Sequence, residues 1–416
     1  MRIAHINSTD NAGGAAKAAL RLCEGLIQLE PNLRFFVKRK HSNAHFISTI
    51  HHPFALASVL AGAYYEKIPT HSSTSSKKYY FHQVSPLGGI FIRELNQWLP
   101  DIVHLHQINY GTLALAKINS IKKPIFWTLH DLWPITGGCH YPFSCTHYES
   151  NCGGCHLLNS QDENDASRTQ FKLKQSIYQE TPITFIAPSQ WILKQAKKSP
   201  LTINQRLVHI PNGINTQVFH PLNKRLMRLK HQLPLDKKIL LFIAHHPLDE
   251  RKGFKYLKEA LALLKEKNIF LLIIGNNKNF TPQLPCPWRI INHQETNDSL
   301  VELINCADIS ITPSQEDNLP NVILESMSCG IPVVAFNIGG IPEMITDDVD
   351  GLLTENTSIA LSKAIDLLLS NSHLSGKMSQ EARLTITKRF TQEKQASTHL
   401  ELYETILKQQ QTVNRS

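Results

Sequence analysis

The densest group of residues able to do chemistry is Pro313-Ser314-Gln315-Glu316-Asp317-Asn318-Leu319-Pro320, which continues through Asn321-Val322-Ile323-Leu324 to Glu325. An apolar run from Ile309 to Thr312 ends in this acidic loop, and a helix is expected to begin near Pro320. Loop amides and the positive end of a helix suit a diphosphate, and a carboxylate within the first turns can accept both hydroxyls of a ribose. Complementing the helix dipole would explain Glu316 and Asp317 but not Glu325. Upstream, Arg251-Lys252-Gly253 supplies two adjacent cations. His106 and His130-Asp131 each follow a short apolar run, where an open parallel sheet binds its ligands; a histidine there is as readily structural as catalytic.

A second group is the cysteines. Cys139, Cys145, Cys152 and Cys155 have the spacing C-x5-C-x6-C-x2-C, and the other four are scattered. Four thiolates on a structural zinc ion, two disulfides and free thiols are all compatible with this spacing. Zinc is favoured because the two glycines between Cys152 and Cys155 would let amides turn toward the sulfurs, and His140, His147 or His156 could stand in as a ligand.

These groups need elements to hold them. A chain of 416 residues suits two domains of roughly 200. With 42% apolar and 19% charged residues and a mean hydropathy of -0.21, disorder and multi-span membrane architecture are poor fits. The opening Met1-Arg2-Ile3-Ala4-His5-Ile6 reads as a buried strand rather than a signal peptide, so a cytoplasmic location is expected. That strand runs into Gly13-Gly14 and then a helix with apolar residues at Ala18, Leu22 and Leu26, either a phosphate cradle or a plain tight turn. Further strands are expected from Ile102 to Leu105 and Ile125 to Leu129, with a domain boundary between Phe185 and Phe219. The β/α alternation restarts at Ile239 to Ala244 and continues through Phe270 to Ile274, Ile309 to Thr312 and Pro332 to Phe336. The resulting expectation is an α/β chain of two doubly wound, Rossmann-like domains facing across a cleft. Residues 1–200 carry the cysteine-rich loop 139–155, residues 201–385 form the second domain, and residues 386–416 form a closing helix.

The net charge of +9 is uneven. Residues 1–123 hold 14 Lys plus Arg against 6 Asp plus Glu. The runs Lys38-Arg39-Lys40 and Lys77-Lys78, the latter in the serine-rich stretch from His71 to Tyr80, are either solvated loops or a face for an anionic membrane or a phosphorylated acceptor. No nucleic-acid motif accompanies them, so nucleic acid is not an expected partner.

Eight phrases, in order, make the chain resemble the family 4 glycosyltransferases of GT-B fold. They are Gly13-Gly14, Asp101-Ile102-Val103-His104-Leu105-His106, Thr128-Leu129-His130-Asp131, Ala187-Pro188-Ser189, Ile210-Pro211-Asn212-Gly213-Ile214, Arg251-Lys252-Gly253-Phe254, Pro313-Ser314 through Glu325, and Gly339-Gly340-Ile341-Pro342-Glu343. The block Trp133-Pro134-Ile135-Thr136-Gly137-Gly138-Cys139-His140 is similar to the subgroup that assembles bacterial exopolysaccharide, capsule or lipopolysaccharide units. The resemblance implies transfer of a hexose, with retained configuration, from a nucleotide-diphosphate sugar to a saccharide or lipid-diphosphate-linked acceptor, without a catalytic cofactor or metal. It implies that Glu325 holds the donor ribose, that Lys252 and Arg251 neutralise the leaving diphosphate, and that His130 sits at the transferred sugar. Gly13 and Gly14 would face the phosphates, with Glu316, Asn318, Leu319 and Pro320 completing the donor loop.

Two departures stand out. Glu316 to Glu325 is Glu-x8-Glu where the family has Glu-x7-Glu, so Asp317 takes the sugar-contacting position. The family's Arg six positions before the Lys is His246 here. Two other classes remain: a nicotinamide-dependent oxidoreductase, disfavoured by the missing G-x-G-x-x-G, and a non-catalytic, metal-stabilised protein bound to the membrane face, disfavoured by Lys252 and Glu325.

Overall fold

The structure, a computed structural model, describes residues 1–49, 53–71, 73–75, 77–89, 91–276, 280–292 and 296–413. Ser72 and Ser76 of the serine-rich stretch lie outside them. The chain divides into two units, Met1–Pro211 with Gln395–Ser416, and Asn212–Lys394.

The first unit is built on seven strands: β1 (Ile3–Thr9), β2 (Leu33–Arg39), β3 (Ile47–Thr49), β4 (Ile102–Leu105), β5 (Ile125–Thr128), β6 (Ile183–Ala187) and β7 (Arg206–His209). Their order is β3-β2-β1-β4-β5-β6-β7 and every pairing is parallel. The central strands β4, β5 and β6 are buried along their whole length because both faces are covered. Ala4, Ile6, Val103, Leu105, Trp127 and Phe185 point to one core. Ile3, Phe35, Ile102, Phe126 and Ile186 point to the other, with Leu22, Leu26, Ala396 and Tyr403. The strand order reverses between β1 and β4, so the segments leaving those two strands open a crevice at their carboxyl ends.

The second unit repeats the plan with β8 (Lys238–Ile243), β9 (Ile269–Ile274), β10 (Trp288–Ile291), β11 (Ile309–Thr312), β12 (Val333–Phe336) and β13 (Gly351–Thr354). Their order is β10-β9-β8-β11-β12-β13, again parallel, with the reversal between β8 and β11. The segments leaving these two strands are the ones that carry Arg251-Lys252 and Pro313 to Pro320.

The structure corrects the expected boundaries. The first unit extends past residue 200, because β7 pairs with β6 from Thr184↔Arg206 to Ala187↔His209 and completes the first sheet. The helix Gln392–Val413, expected as a separate closing element, belongs largely to the first unit: Ala396 and Tyr403 lie fully buried in its core. Among the described residues no helix is long and apolar enough to cross a membrane.

Candidate active site

In the second unit the loop after β11 is locked to the turn Glu250–Lys252. Arg251 Nη1 donates to the Glu316 carbonyl at 3.1 Å and pairs with Asp317 Oδ2 at 3.1 Å, and Lys252 Nζ donates to Asp317 Oδ2 at 2.6 Å. Gln315 N donates to the Arg251 carbonyl at 2.7 Å, and Ser314 Oγ donates to Asp317 Oδ2 at 3.3 Å. Two glycines permit this approach. A Cβ on Gly253 would lie 1.7 Å from the Pro313 carbonyl oxygen, and one on Gly339 would lie 2.0 Å from that of Asp317. Both also have φ in the left-handed region, +72° and +59°. Burial alone would raise the Asp317 carboxyl, but Lys252 and Arg251 overcome it and hold the group ionised. Burial and the Arg251 charge lower Lys252, against the pull of Asp317.

The triad therefore carries one net positive charge and is rigid before any ligand arrives, which is the preorganisation that stabilises developing anionic charge. Asp317, read from sequence as a sugar contact, is here the residue that orders the cations. Helix Asn321–Ser328 follows directly, with Glu316, Asn318, Leu319, Pro320 and Glu325 all buried around its start. His246 is exposed, its ring 4.5 Å from that of His245.

In the first unit, Gly13 caps helix Gly14–Leu29 with φ +90°, and nothing lies within 4 Å of where its Cβ would be, so the turn is open above the helix start. The carboxyl ends of β4 and β5 carry a line of buried imidazoles. His5 Nδ1 lies 2.9 Å from His106 Nε2, and His106 Nδ1 lies 3.0 Å from His130 Nε2. Beside them His104 meets Tyr403 Oη at 2.5 Å and Thr128 Oγ1 at 2.7 Å. Burial lowers His5 to about 3 and His130 to about 4, so these rings are neutral near pH 7. The ring nitrogens of His5, His104 and His106 lie within 4.8 Å of one another, but these hydrogen bonds already occupy most of their lone pairs and protons.

Asp131 accepts from Trp133 N at 2.9 Å and meets His140 Nδ1 at 2.8 Å. Burial would raise its carboxyl, and His140 and Trp133 hold it low. The sequence reading missed Asn109, which lines the same pocket as His106, His130 and Asp131. Its spacing three residues after His106 was the available signal.

All eight cysteines are free thiols, which removes the disulfide alternative. Cys139, Cys145, Cys152 and Cys155 line one pocket with His147 and His156, whereas His140 is committed to Asp131 and His82. Burial raises Cys139, Cys152 (to about 12) and Cys155 (to about 11), so the thiols are protonated as they stand. The preceding segment is stapled to helix Ala166–Glu180: Lys174 Nζ donates to the Trp133 and Thr136 carbonyls, and Tyr178 Oη donates to that of Pro134.

The side chains of the basic runs are held by neighbouring groups but keep their charge, and Lys40 is exposed. Lys38 Nζ donates to the Tyr110 carbonyl at 2.8 Å, Lys40 Nζ to that of Ala44 at 3.0 Å and Lys78 Nζ to that of Ser73 at 2.9 Å. Lys77 Nζ sits 4.1 Å over the Phe143 ring. Arg39 is exposed at the end of β2.

Comparison with known proteins follows this division. The description "Glycosyltransferase Family 4" matches residues 12–218, and "Glycosyl transferases group 1" matches residues 223–385. An N-acetyl-alpha-D-glucosaminyl L-malate synthase of Bacillus anthracis is 26% identical over 215 residues, 49% of this chain and 55% of that protein. A Campylobacter jejuni N,N'-diacetylbacillosaminyl-diphospho-undecaprenol alpha-1,3-N-acetylgalactosaminyltransferase is 27% identical over 205 residues, 47% of this chain and 53% of that protein. The chain thus spans about half the length of the curated relatives it matches. Among solved structures, Anabaena Alr3699/HepE, in complex with UDP-glucose, superposes with a TM-score of 0.69 at 15% identity, covering 97% of this chain and 100% of that one. With its two sheets and its two matched regions coinciding, the chain has the GT-B fold and belongs to the family 4 glycosyltransferases.

Proposed function

We propose that the protein transfers a hexose from a nucleotide-diphosphate sugar to a saccharide or lipid-diphosphate-linked acceptor in the synthesis of a bacterial surface polysaccharide. The observation that carries this reading is the Arg251–Lys252–Asp317 triad fixed at the switch point of the second sheet, directly ahead of the helix that holds Glu325. The diphosphate binds to the two cations and the loop amides, and Glu325 takes the ribose. His130 contacts the transferred sugar. As the sugar–phosphate bond breaks, charge grows on the leaving diphosphate, and ordered cations favour that state over the ground state. Configuration is retained, as family membership implies. The lipid-linked acceptor named for the Campylobacter jejuni relative supports an acceptor of this class.

A nicotinamide oxidoreductase and a non-catalytic protein draw no comparable support. A panel of UDP-, GDP- and ADP-sugars tests the reading by thermal shift and slow donor hydrolysis. At least one should stabilise the protein and be hydrolysed. Stabilisation by NAD or NADP with no response to any nucleotide sugar would overturn it.

The cations replace a catalytic divalent ion, so EDTA is expected to leave turnover intact over the assay, and strict dependence on added Mg²⁺ or Mn²⁺ would contradict this. We assign the cysteine pocket to a structural zinc ion. Cys155 Sγ accepts from the amides of Leu157 and Leu158, and Cys152 Sγ from that of Gly137, donors that suit thiolate charge. Lys174 is fully buried, which lowers it to about 7, and it lies close enough to feel Cys139 and Cys152. Four protein ligands would leave no open position, so the ion would fix the loop and take no part in transfer. Elemental analysis should give close to one zinc per chain; a metal-free, fully folded protein would refute the assignment. Peripheral contact with anionic lipid is assigned to the face that carries Lys38, Arg39 and Lys40, of which Arg39 and Lys40 are exposed.

A further inference from the structure

We propose that the outward stripe of helix Pro53–Tyr65 is the face by which the protein seats in an anionic bilayer, its apolar side chains entering the lipid interface beside the basic end of β2. The inference rests on the peripheral lipid contact proposed above and deepens it: the basic run supplies attraction, and this helix supplies apolar insertion.

The helix has no charged residue in its 13 positions, PFALASVLAGAYY. One side is committed to the protein. Val59 and Gly62 are buried, and Glu66 continues their row just past the helix end. A Cβ on Gly62 would lie 2.9 Å from Gly111 Cα, and one on Gly111 would lie 2.3 Å from the Val59 carbonyl oxygen, so helix and loop meet backbone to backbone. Glu66 fixes this approach: its Oε2 accepts from Tyr110 N at 2.5 Å and its Oε1 from Gly111 N at 2.8 Å.

With that side fixed, Ala57, Leu60, Ala61 and Tyr64, at i, i+3, i+4 and i+7, share the opposite face and are turned out of the protein. Leu60 is 53% exposed and Tyr64 65%, and Ile68, just beyond the helix, is 44% exposed. Single apolar residues on a surface need no cover, but a row of them on a helix without a polar face does.

Charge identifies the occupant. Residues 31–93 hold eight Lys plus Arg against one acid, Glu66, which is buried. Lys38 Nζ and Glu66 hold the same residue, Tyr110, by its carbonyl and its amide, so the run Lys38-Arg39-Lys40 borders the helix. Lys67 is exposed directly after it. An apolar row that includes tyrosine and is flanked by cations matches the boundary of an anionic bilayer. There the acyl region takes the aliphatic groups, and the headgroups take the tyrosine hydroxyl and the positive charges. A second copy of the chain would bring two such positive faces together, which like charge opposes. For nucleic acid, Leu60, Ala61 and Ile68 offer no ring on which a base could stack.

The test uses the full chain and vesicles of phosphatidylglycerol and phosphatidylcholine in equal parts, with vesicles of phosphatidylcholine alone beside them. The parent should sediment with the anionic vesicles and hardly with the neutral ones. The double variant Leu60→Ser, Tyr64→Ser leaves net charge unchanged and should lower affinity for the anionic vesicles by about tenfold or more, the effect of losing two inserted apolar side chains. Leu263→Ser, at a leucine 52% exposed in the second unit, should bind them as the parent does. A separate variant, Tyr64→Trp, should shift its emission to the blue when the anionic vesicles are added. A double variant that is folded by circular dichroism and binds as tightly as the parent overturns the seat and leaves the basic run as the whole of the lipid contact. So does a Tyr64→Trp emission that bound vesicles do not move. Absence of any binding to anionic vesicles would instead strike the peripheral contact itself. A parent dimer in analytical ultracentrifugation that the double variant abolishes would assign the face to a second copy and overturn the proposal.

Discussion

Lowering the pH from 7 to 5 is expected to unfold the unit Met1–Pro211 with Gln395–Ser416 and to leave the unit Asn212–Lys394 folded. Six histidines of the first unit, His5, His82, His104, His106, His130 and His399, are held below their ordinary value, chiefly by burial. A depressed histidine leaves stability intact above the unfolded value near 6.5 and removes it as pH falls toward the folded value, because only the unfolded chain takes up the proton. The folded values are about 3 for His5 and about 4 for His130 and His399, so the loss is in full progress at pH 5. Each of these three rings then costs about 2 kcal/mol, and His82, His104 and His106 act in the same direction.

Glu66 acts in the opposite sense. Burial raises its carboxyl to about 7, so acid relieves it and returns about 2 kcal/mol over the same interval. Against His5, His130 and His399 this offsets one ring, and His82, His104 and His106 add to the loss in the same direction, against a domain stability of about 5–15 kcal/mol. Calorimetry at the two pH values should resolve one transition that collapses and one that hardly moves. Trp98, Trp127, Trp133 and Trp191 report the first by fluorescence and Trp288 the second. Equal pH sensitivity of both transitions would contradict the buried neutral imidazoles.

Replacing Lys252 by Ala is expected to lower kcat by about 10²–10³-fold, the scale of losing one preorganised donor to developing negative charge. Lys252 Nζ sits on Asp317 at 2.6 Å, and Arg251 Nη1 holds the same carboxylate oxygen at 3.1 Å. The substitution therefore leaves Asp317 paired, and the fold survives where removing the sole partner of a buried carboxylate would cost about 3–5 kcal/mol. Because the charge on the diphosphate grows during transfer, kcat should fall more than donor affinity does. Steady-state kinetics with circular dichroism on the same sample checks both halves. Turnover within a few-fold of the parent in a folded variant would remove Lys252 from the mechanism.

The two-sheet plan was legible wherever a strand is long, apolar and central. β4, β8, β9, β11 and β12 lie within about a residue of where hydrophobic runs place them. β6 and β7 were read as part of a boundary because Pro188, Pro211 and Gly213 punctuate that segment, yet β7 is the edge strand that finishes the first sheet. Edge strands such as β3 and β10 are short and half-buried, which leaves little pattern to read.

Arg251, Lys252 and Glu325 stood out by residue type and phrase, but the Lys252–Asp317 pairing spans 65 residues and depends on Gly253 letting the loop approach. The imidazole chain was less visible still. His5 and His106 are 101 residues apart, and only the placement of β1 beside β4 joins them. For the lysine runs, sequence counts the charge but cannot show that carbonyls and a phenyl ring fix where the side chains lie.

The second unit is expected to bind the donor nucleotide with Glu325 on its ribose. Calorimetric titration of UDP and GDP into the parent protein and into Glu325→Ala tests it most directly. A charge-assisted ribose contact of about 1.5–3 kcal/mol predicts a tenfold to hundredfold loss of affinity for whichever nucleotide binds, with the unfolding transitions unmoved. Equal affinity in the two proteins would contradict the account.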